Sequence, residues 1–107
     1  MIVKHESAKP TDLGPGIERR MLAHSGKLMA VEFRFEKGAV LETHTHPHEQ
    51  IGYVVEGTLE LEIDGKKEIV KAGDTYYTAP DVLHGAVVLE DSVVFDVFTP
   101  QREDFLR

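Results

Sequence analysis

Short runs in which apolar and polar residues alternate, separated by turn-forming Gly and Asp, recur along most of the chain. In Met29-Ala30-Val31-Glu32-Phe33-Arg34-Phe35, the side chains of Met29, Val31, Phe33 and Phe35 fall on one side and Glu32 and Arg34 on the other. A period of two is that of a half-buried strand, and Glu36-Lys37-Gly38 then reads as a turn. The clearest hairpin runs from residues 58–63, through Asp64-Gly65, to residues 66–70. Asp-Gly suits a type I′ turn because both central residues need positive φ, which Gly tolerates and Asp accepts. Further strands fit residues 51–55, 75–78, 85–89 and 93–98, and 19–23 adds one near the start. No segment sustains a helical period. Many short strands with regular turn signals predict an all-β antiparallel sandwich or barrel.

The length, 107 residues, is that of a single domain, taken here as 1–107, with 1–16 as an entry loop or edge strand and 99–107 as a C-terminal tail. Apolar residues make up 41% of the chain and are spread along it, enough for a real core. Twelve basic against 19 acidic residues leave a formal charge of -7 with no basic cluster, so a phosphate backbone is repelled and no nucleic-acid partner is expected. The absence of cysteine excludes disulfides and thiolate metal sites. The first residues lack the apolar run of a secretory signal, and no stretch is long enough to span a membrane. A cytoplasmic protein with no membrane partner is the expectation.

Against this acidic background the histidines stand out. Three of the six crowd into His44-Thr45-His46-Pro47-His48. On a strand, His44 and His46 would share a face, roughly 6–7 Å apart along the chain, close enough to converge on one ion. Gln50 has the same parity, although Pro47 predicts a bend or bulge near it, where strict parity can slip. His84 is the fourth candidate, delivered to the next strand by a turn at Pro80-Asp81. His48 is placed at the rim of such a site, and His5 and His24 are expected to be solvated.

Gly38 lies six positions before His44, Gly57 seven after Gln50, and Gly73 eleven before His84. This spacing resembles the two motifs of the cupin family, G-x5-H-x-H-x3-[EQ]-x6-G and G-x5-P-x-G-x2-H, with the Asp64-Gly65 hairpin between them. Ala79 replaces the usual Pro and Asp81 the usual Gly of the second motif, and Gln50 stands where Glu is frequent. The resemblance implies a double-stranded β-helix, a jelly-roll-like barrel, with a metal held by His44, His46, Gln50 and His84. Three imidazoles and an amide leave the charge of a divalent ion undiminished, which favours an acidic or enolisable substrate. A nitrogen and oxygen donor set without sulfur suits nickel, zinc, iron or manganese.

The ending Asp96-Val97-Phe98-Thr99-Pro100-Gln101-Arg102-Glu103-Asp104-Phe105 is similar to that of the KdgF-type pectin-degradation proteins, as are Arg19-Arg20-Met21-Leu22, Phe35-Glu36-Lys37-Gly38 and the segment from His44 to Gln50. That resemblance implies ring opening of 4,5-unsaturated uronate monosaccharides, with Asp96 as acid/base, Arg102 on the substrate carboxylate and Phe98 shaping the pocket. A carboxylate among Val93, Val94, Phe95, Val97 and Phe98 is costly unless paired, which argues for a site at Asp96 and also fits a structural pair with an Arg. Of Tyr76 and Tyr77, one is expected at the pocket mouth and the other outside. A dioxygenase of a small enol and a non-catalytic sugar-acid-binding module are the rival functions; oxygen uptake would mark the first and affinity that survives Asp96→Asn the second. Because cupins often pair through edge strands, a homodimer is expected.

Overall fold

A computed structural model describes all of residues 1–107. The alternating segment from Leu28 to Phe35 forms strand β3, and its inward positions Met29, Val31 and Phe35 are buried. It is preceded by β1 (Pro10–Asp12) and β2 (Ile17–Ser25). There follow β4 (Val40–His44), β5 (Glu49–Glu56), β6 (Thr58–Ile63), β7 (Lys66–Lys71), β8 (Thr75–Thr78), β9 (His84–Val88) and β10 (Ser92–Thr99). The only helical pieces are 3-10 turns at His5–Ser7 and Glu103–Leu106. The expected hairpin and all five further strands form; 51–55, 93–98 and 19–23 extend by two to four residues, 75–78 keeps its bounds and 85–89 shifts by one residue. Within the segment expected as an entry loop or edge strand, Pro10–Asp12 pairs as an edge strand with β2.

The strands make two antiparallel sheets, one of six in the order β1-β2-β3-β10-β5-β8 and one of four in the order β4-β9-β6-β7. β10 is last in sequence yet runs between β3 and β5, and most of its residues are buried. Its side chains are buried or half-buried on both faces as far as Phe98, which is why residues 93–98 show little alternation. Val54 and Val94 of the larger sheet pack against Leu59 and Val88 of the smaller, forming the main core with Phe35. A second cluster joins Met29, Val31 and Phe98. Each side chain of this size contributes about 1.5–3 kcal/mol when fully buried. The Asp64-Gly65 turn has φ of 53° and 79°, the type I′ pattern expected for it.

Candidate metal centre and catalytic pocket

His44 and His84 are cross-strand partners, His44 at the last position of β4 and His84 at the first of β9. Their ring centres are 4.4 Å apart. His46 lies beyond the end of β4, in the short loop before β5, so the two-residue period expected to align it with His44 does not operate there. The β4–β9 ladder already shifts register between Leu41 and His44, and Pro47 lies in a bend. The loop instead turns His46 inward, where its ring centre is 4.8 Å from that of His84 and 5.8 Å from that of His44. One nitrogen from each of the three rings lies within 4.8 Å of the others.

The turn before β9 holds this convergence in place. Asp81 sits at φ 64°, a left-handed conformation that a Gly would adopt freely and that Asp accepts, so the departure from the usual motif leaves the turn intact. Its backbone N–H donates to the His46 carbonyl at 2.9 Å, linking the loop that carries His46 to the turn that delivers His84.

The tautomers follow from the backbone. His44 Nδ1 lies 2.9 Å from the Glu42 carbonyl and His84 Nδ1 2.9 Å from the Val82 carbonyl, so each donates there and keeps its Nε2 lone pair free. Gln50, buried on β5, donates through Nε2 to Asp96 Oδ1 at 3.0 Å, which turns its Oε1 towards the imidazoles. That oxygen is 3.1 Å from His46 Nε2. Two neighbouring ligands on bonds of about 2.1 Å stand at a similar spacing. Burial holds His46 down to about 4, helped by the positive charge of Arg102 and the neighbouring imidazoles, and also lowers His84. Neutral rings with free lone pairs are what metal ligation needs. His44, His46, His84 and Gln50 therefore fit a divalent ion as a set of three nitrogens and one oxygen.

Asp96 is buried on β10 and accepts from both Gln50 Nε2 and the Tyr76 hydroxyl, the latter at 2.8 Å, on the same oxygen Oδ1. Burial raises it from the ordinary 3.8 to about 6, with the two hydrogen bonds and the Arg102 charge opposing the rise. The ion pair with an Arg that its apolar surroundings suggested is absent: the partners are an amide and a phenol. Tyr76 points inward, whereas Tyr77 is exposed and bonds to Glu49.

The three imidazoles, Gln50, Asp96 and Tyr76 line a cavity of about 320 Å³ together with apolar side chains such as Phe33, Leu59 and Leu61. Phe98 and Arg102 also line it. The Arg102 guanidinium pairs two-pronged with Asp104, at 3.2 and 2.9 Å, and lies 5.2 Å from the centre of the Phe98 ring and 4.1 Å from that of Phe105. Arg19 lies 4.3 Å from the same Phe105 ring. A larger open groove, about 830 Å³, is lined by Asp12, Glu18, Glu36, Glu56 and Asp91 and contains no imidazole; its acidity disfavours an anionic ligand.

His48 is half-buried with its ring 5.4 Å from that of His46, outside the cluster of three converging imidazoles. His5 is exposed on the other side, beside Glu32 and Arg20. His24, expected to be solvated, is half-buried, with Nδ1 3.1 Å from its own strand's Leu22 carbonyl. The sequence reading missed two groups, the role of Tyr76 as a partner of Asp96 and that of Asp104 as a partner of Arg102. Polarity on β8 could have separated Tyr76 from Tyr77 but could not name its partner.

Residues 31–98 match the cupin domain family. The chain is 45% identical over 97 residues to the pectin degradation protein KdgF of Dickeya dadantii, covering 89% of this chain and 88% of that one. It superposes on KdgF from Halomonas sp. with a TM-score of 0.90 at 44% identity, covering 97% and 96% of the two chains. An RmlC-like cupin from Shewanella frigidimarina gives a TM-score of 0.94 at 40% identity, covering 97% and 94%. With the fold, the histidine cluster and these likenesses in agreement, the chain belongs to the cupin family, in the group that includes the pectin degradation protein KdgF.

Proposed function

We propose that this protein opens the ring of 4,5-unsaturated uronate monosaccharides, the products of pectin or alginate cleavage by lyases, to give open-chain keto acids. The observation that carries this reading is a buried carboxylate, Asp96, hydrogen-bonded to Gln50 and sharing one cavity with three converging imidazoles and Arg102. Arg102 presents a planar guanidinium suited to the substrate carboxylate; Asp104 occupies one edge, and donors remain on the other.

The reaction is an isomerisation, so its protons must balance within the site. Asp96 takes the proton of the anomeric hydroxyl as the carbonyl forms at C1 and the bond from C1 to the ring oxygen breaks. The electrons of that bond remain on the ring oxygen, which becomes an enolate. Asp96 returns the proton to C4, the alkene is lost and a keto group forms at C5. A group with its pKa raised to about 6 both accepts and gives a proton near neutral pH. Lewis-acid polarisation of substrate oxygen is the chemistry that a divalent ion on His44, His46, Gln50 and His84 supplies. Phe98 and the apolar walls limit water around the enolate.

Within the donor set, nickel, zinc, iron and manganese all remain suitable, and elemental analysis of protein purified without added metal identifies the resident ion. We read the chain as a cytoplasmic homodimer formed through edge strands; a monomer by light scattering at micromolar concentration would overturn the dimer. The function is tested by mixing metal-loaded protein with a lyase product and following the alkene absorbance. Rapid loss is expected. No acceleration over the spontaneous reaction rejects the proposal.

A further inference from the structure

Three strands of the larger sheet bring Asp96, Gly52 and Tyr76 into one row. Gly52 of β5 is paired with Asp96 of β10 on one side and with Tyr76 of β8 on the other. β8 and β10 are two strand spacings apart, about 9–10 Å, so their side chains meet only if one reaches across the intervening strand. Tyr76 does so. Its ring lies over Gly52, where an added Cβ would stand 2.1 Å from Tyr76 Cζ and 2.4 Å from its hydroxyl oxygen. The hydroxyl arrives 2.8 Å from Asp96 Oδ1.

Gln50, next inward-facing on β5, donates to the same oxygen. Two donors on Oδ1 fix the carboxylate's rotation, and Oδ2 takes no hydrogen bond from the protein and is not sealed from the cavity that Asp96 lines. The Tyr76 hydroxyl also lies within reach of Gln50, so the three side chains form one polar cluster around Oδ1. Its neighbour Tyr77 points outward, so the strand presents only one phenol to the site.

We propose that Tyr76 is a positioning residue for ring opening, acting through Asp96, and that Gly52 is the vacancy through which it acts. This rests on the reading of Asp96 as acid/base. Without the hydroxyl, Gln50 alone holds the carboxylate, and Oδ2 no longer has one fixed aim at the substrate proton. Small misplacements of a reacting group have large kinetic effects.

The test uses metal-loaded wild type, Tyr76→Phe, Gly52→Ala, Tyr76→Ala and the Gly52→Ala/Tyr76→Ala double variant on a lyase product. Tyr76→Phe is expected to lower kcat by about 10–100-fold, with KM changed by less than about twofold and metal content unchanged. Gly52→Ala is expected to lower kcat similarly by displacing the ring, and to add nothing once Tyr76 is already Ala. An active wild type with unchanged kcat in Tyr76→Phe overturns this inference alone. So does a loss confined to KM, or a further loss from Gly52→Ala in the Tyr76→Ala background. A wild type that does not accelerate alkene loss removes the functional reading and this inference with it. If Gly52→Ala does not fold, Tyr76→Phe decides, since it removes a single oxygen.

Discussion

Burial pushes the Asp96 carboxyl up to about 6 from the ordinary 3.8. Between those values the folded chain keeps a proton that the unfolded chain has lost. Its stabilising share is therefore fully present below about pH 4 and gone once the pH has risen through about 6. His46, held down to about 4, acts in the opposite sense, so the wild-type profile alone hides both. Subtracting the metal-free wild type from metal-free Asp96→Asn isolates the aspartate. The variant is expected to gain up to about 3 kcal/mol relative to wild type between pH 4 and pH 7, read from urea unfolding in the presence of a chelator. A difference that stays flat across that range contradicts it. Arg102→Lys replaces a two-pronged donor with a point charge, and we expect KM for the unsaturated uronate to rise about tenfold or more, with a smaller change in kcat. At this scale the sequence was informative where a motif fixes residue type and spacing, as for His44, His46, Gln50 and His84. Tyr76 was opaque because its partner is 20 residues away and is reached only through a register that polarity does not specify.

Among the elements, the hairpin at Asp64-Gly65 and the run ending at Phe35 were legible because alternation and turn chemistry agree there. The loop between β4 and β5 was not. A regular strand would place His44 and His46 side by side, whereas the observed convergence comes from a cross-strand pair and a loop fastened to the Asp81 turn. β10 was legible as a strand but not as a central one, because an apolar run has no parity to say which face is which. Gly57, between β5 and β6, carries both a φ of 95° and a close approach: an added Cβ would lie 2.1 Å from Ser92 Oγ and 2.5 Å from the Asp91 carbonyl oxygen. The second contact is backbone, so it cannot swing away. Gly57→Ala is expected to destabilise the protein by about 2–4 kcal/mol, measured by chemical denaturation. A value below about 0.5 kcal/mol would mean that the connection readjusts freely.

For the whole molecule, the candidate metal-binding side chains come from two stretches of chain about 40 residues apart, joined in space only by the fold. An ion bound there holds the folded state and not the unfolded one. With free metal near 100 times its dissociation constant, the melting midpoint is expected to stand about 10–20 °C above that of chelated protein. Equal midpoints with and without chelator would speak against a site that links these segments. The sheet class and strand count were accessible from pattern, but the cavity was not, since it depends on how far apart the two sheets hold Phe33, Leu59 and Leu61.

Beside the pocket the Arg19 and Arg102 guanidiniums against Phe105 outnumber the one carboxylate paired with them, Asp104, on a body whose formal charge is -7. At about 10 mM salt the screening length, about 30 Å, is comparable with the molecule's 35 × 28 × 25 Å extent, so an approaching anion feels the whole repulsive body. At about 100 mM it feels only what lies within about 10 Å, where the arginines dominate. Capture of an anionic sugar should therefore quicken as ionic strength first rises, then slow once the arginines themselves are screened.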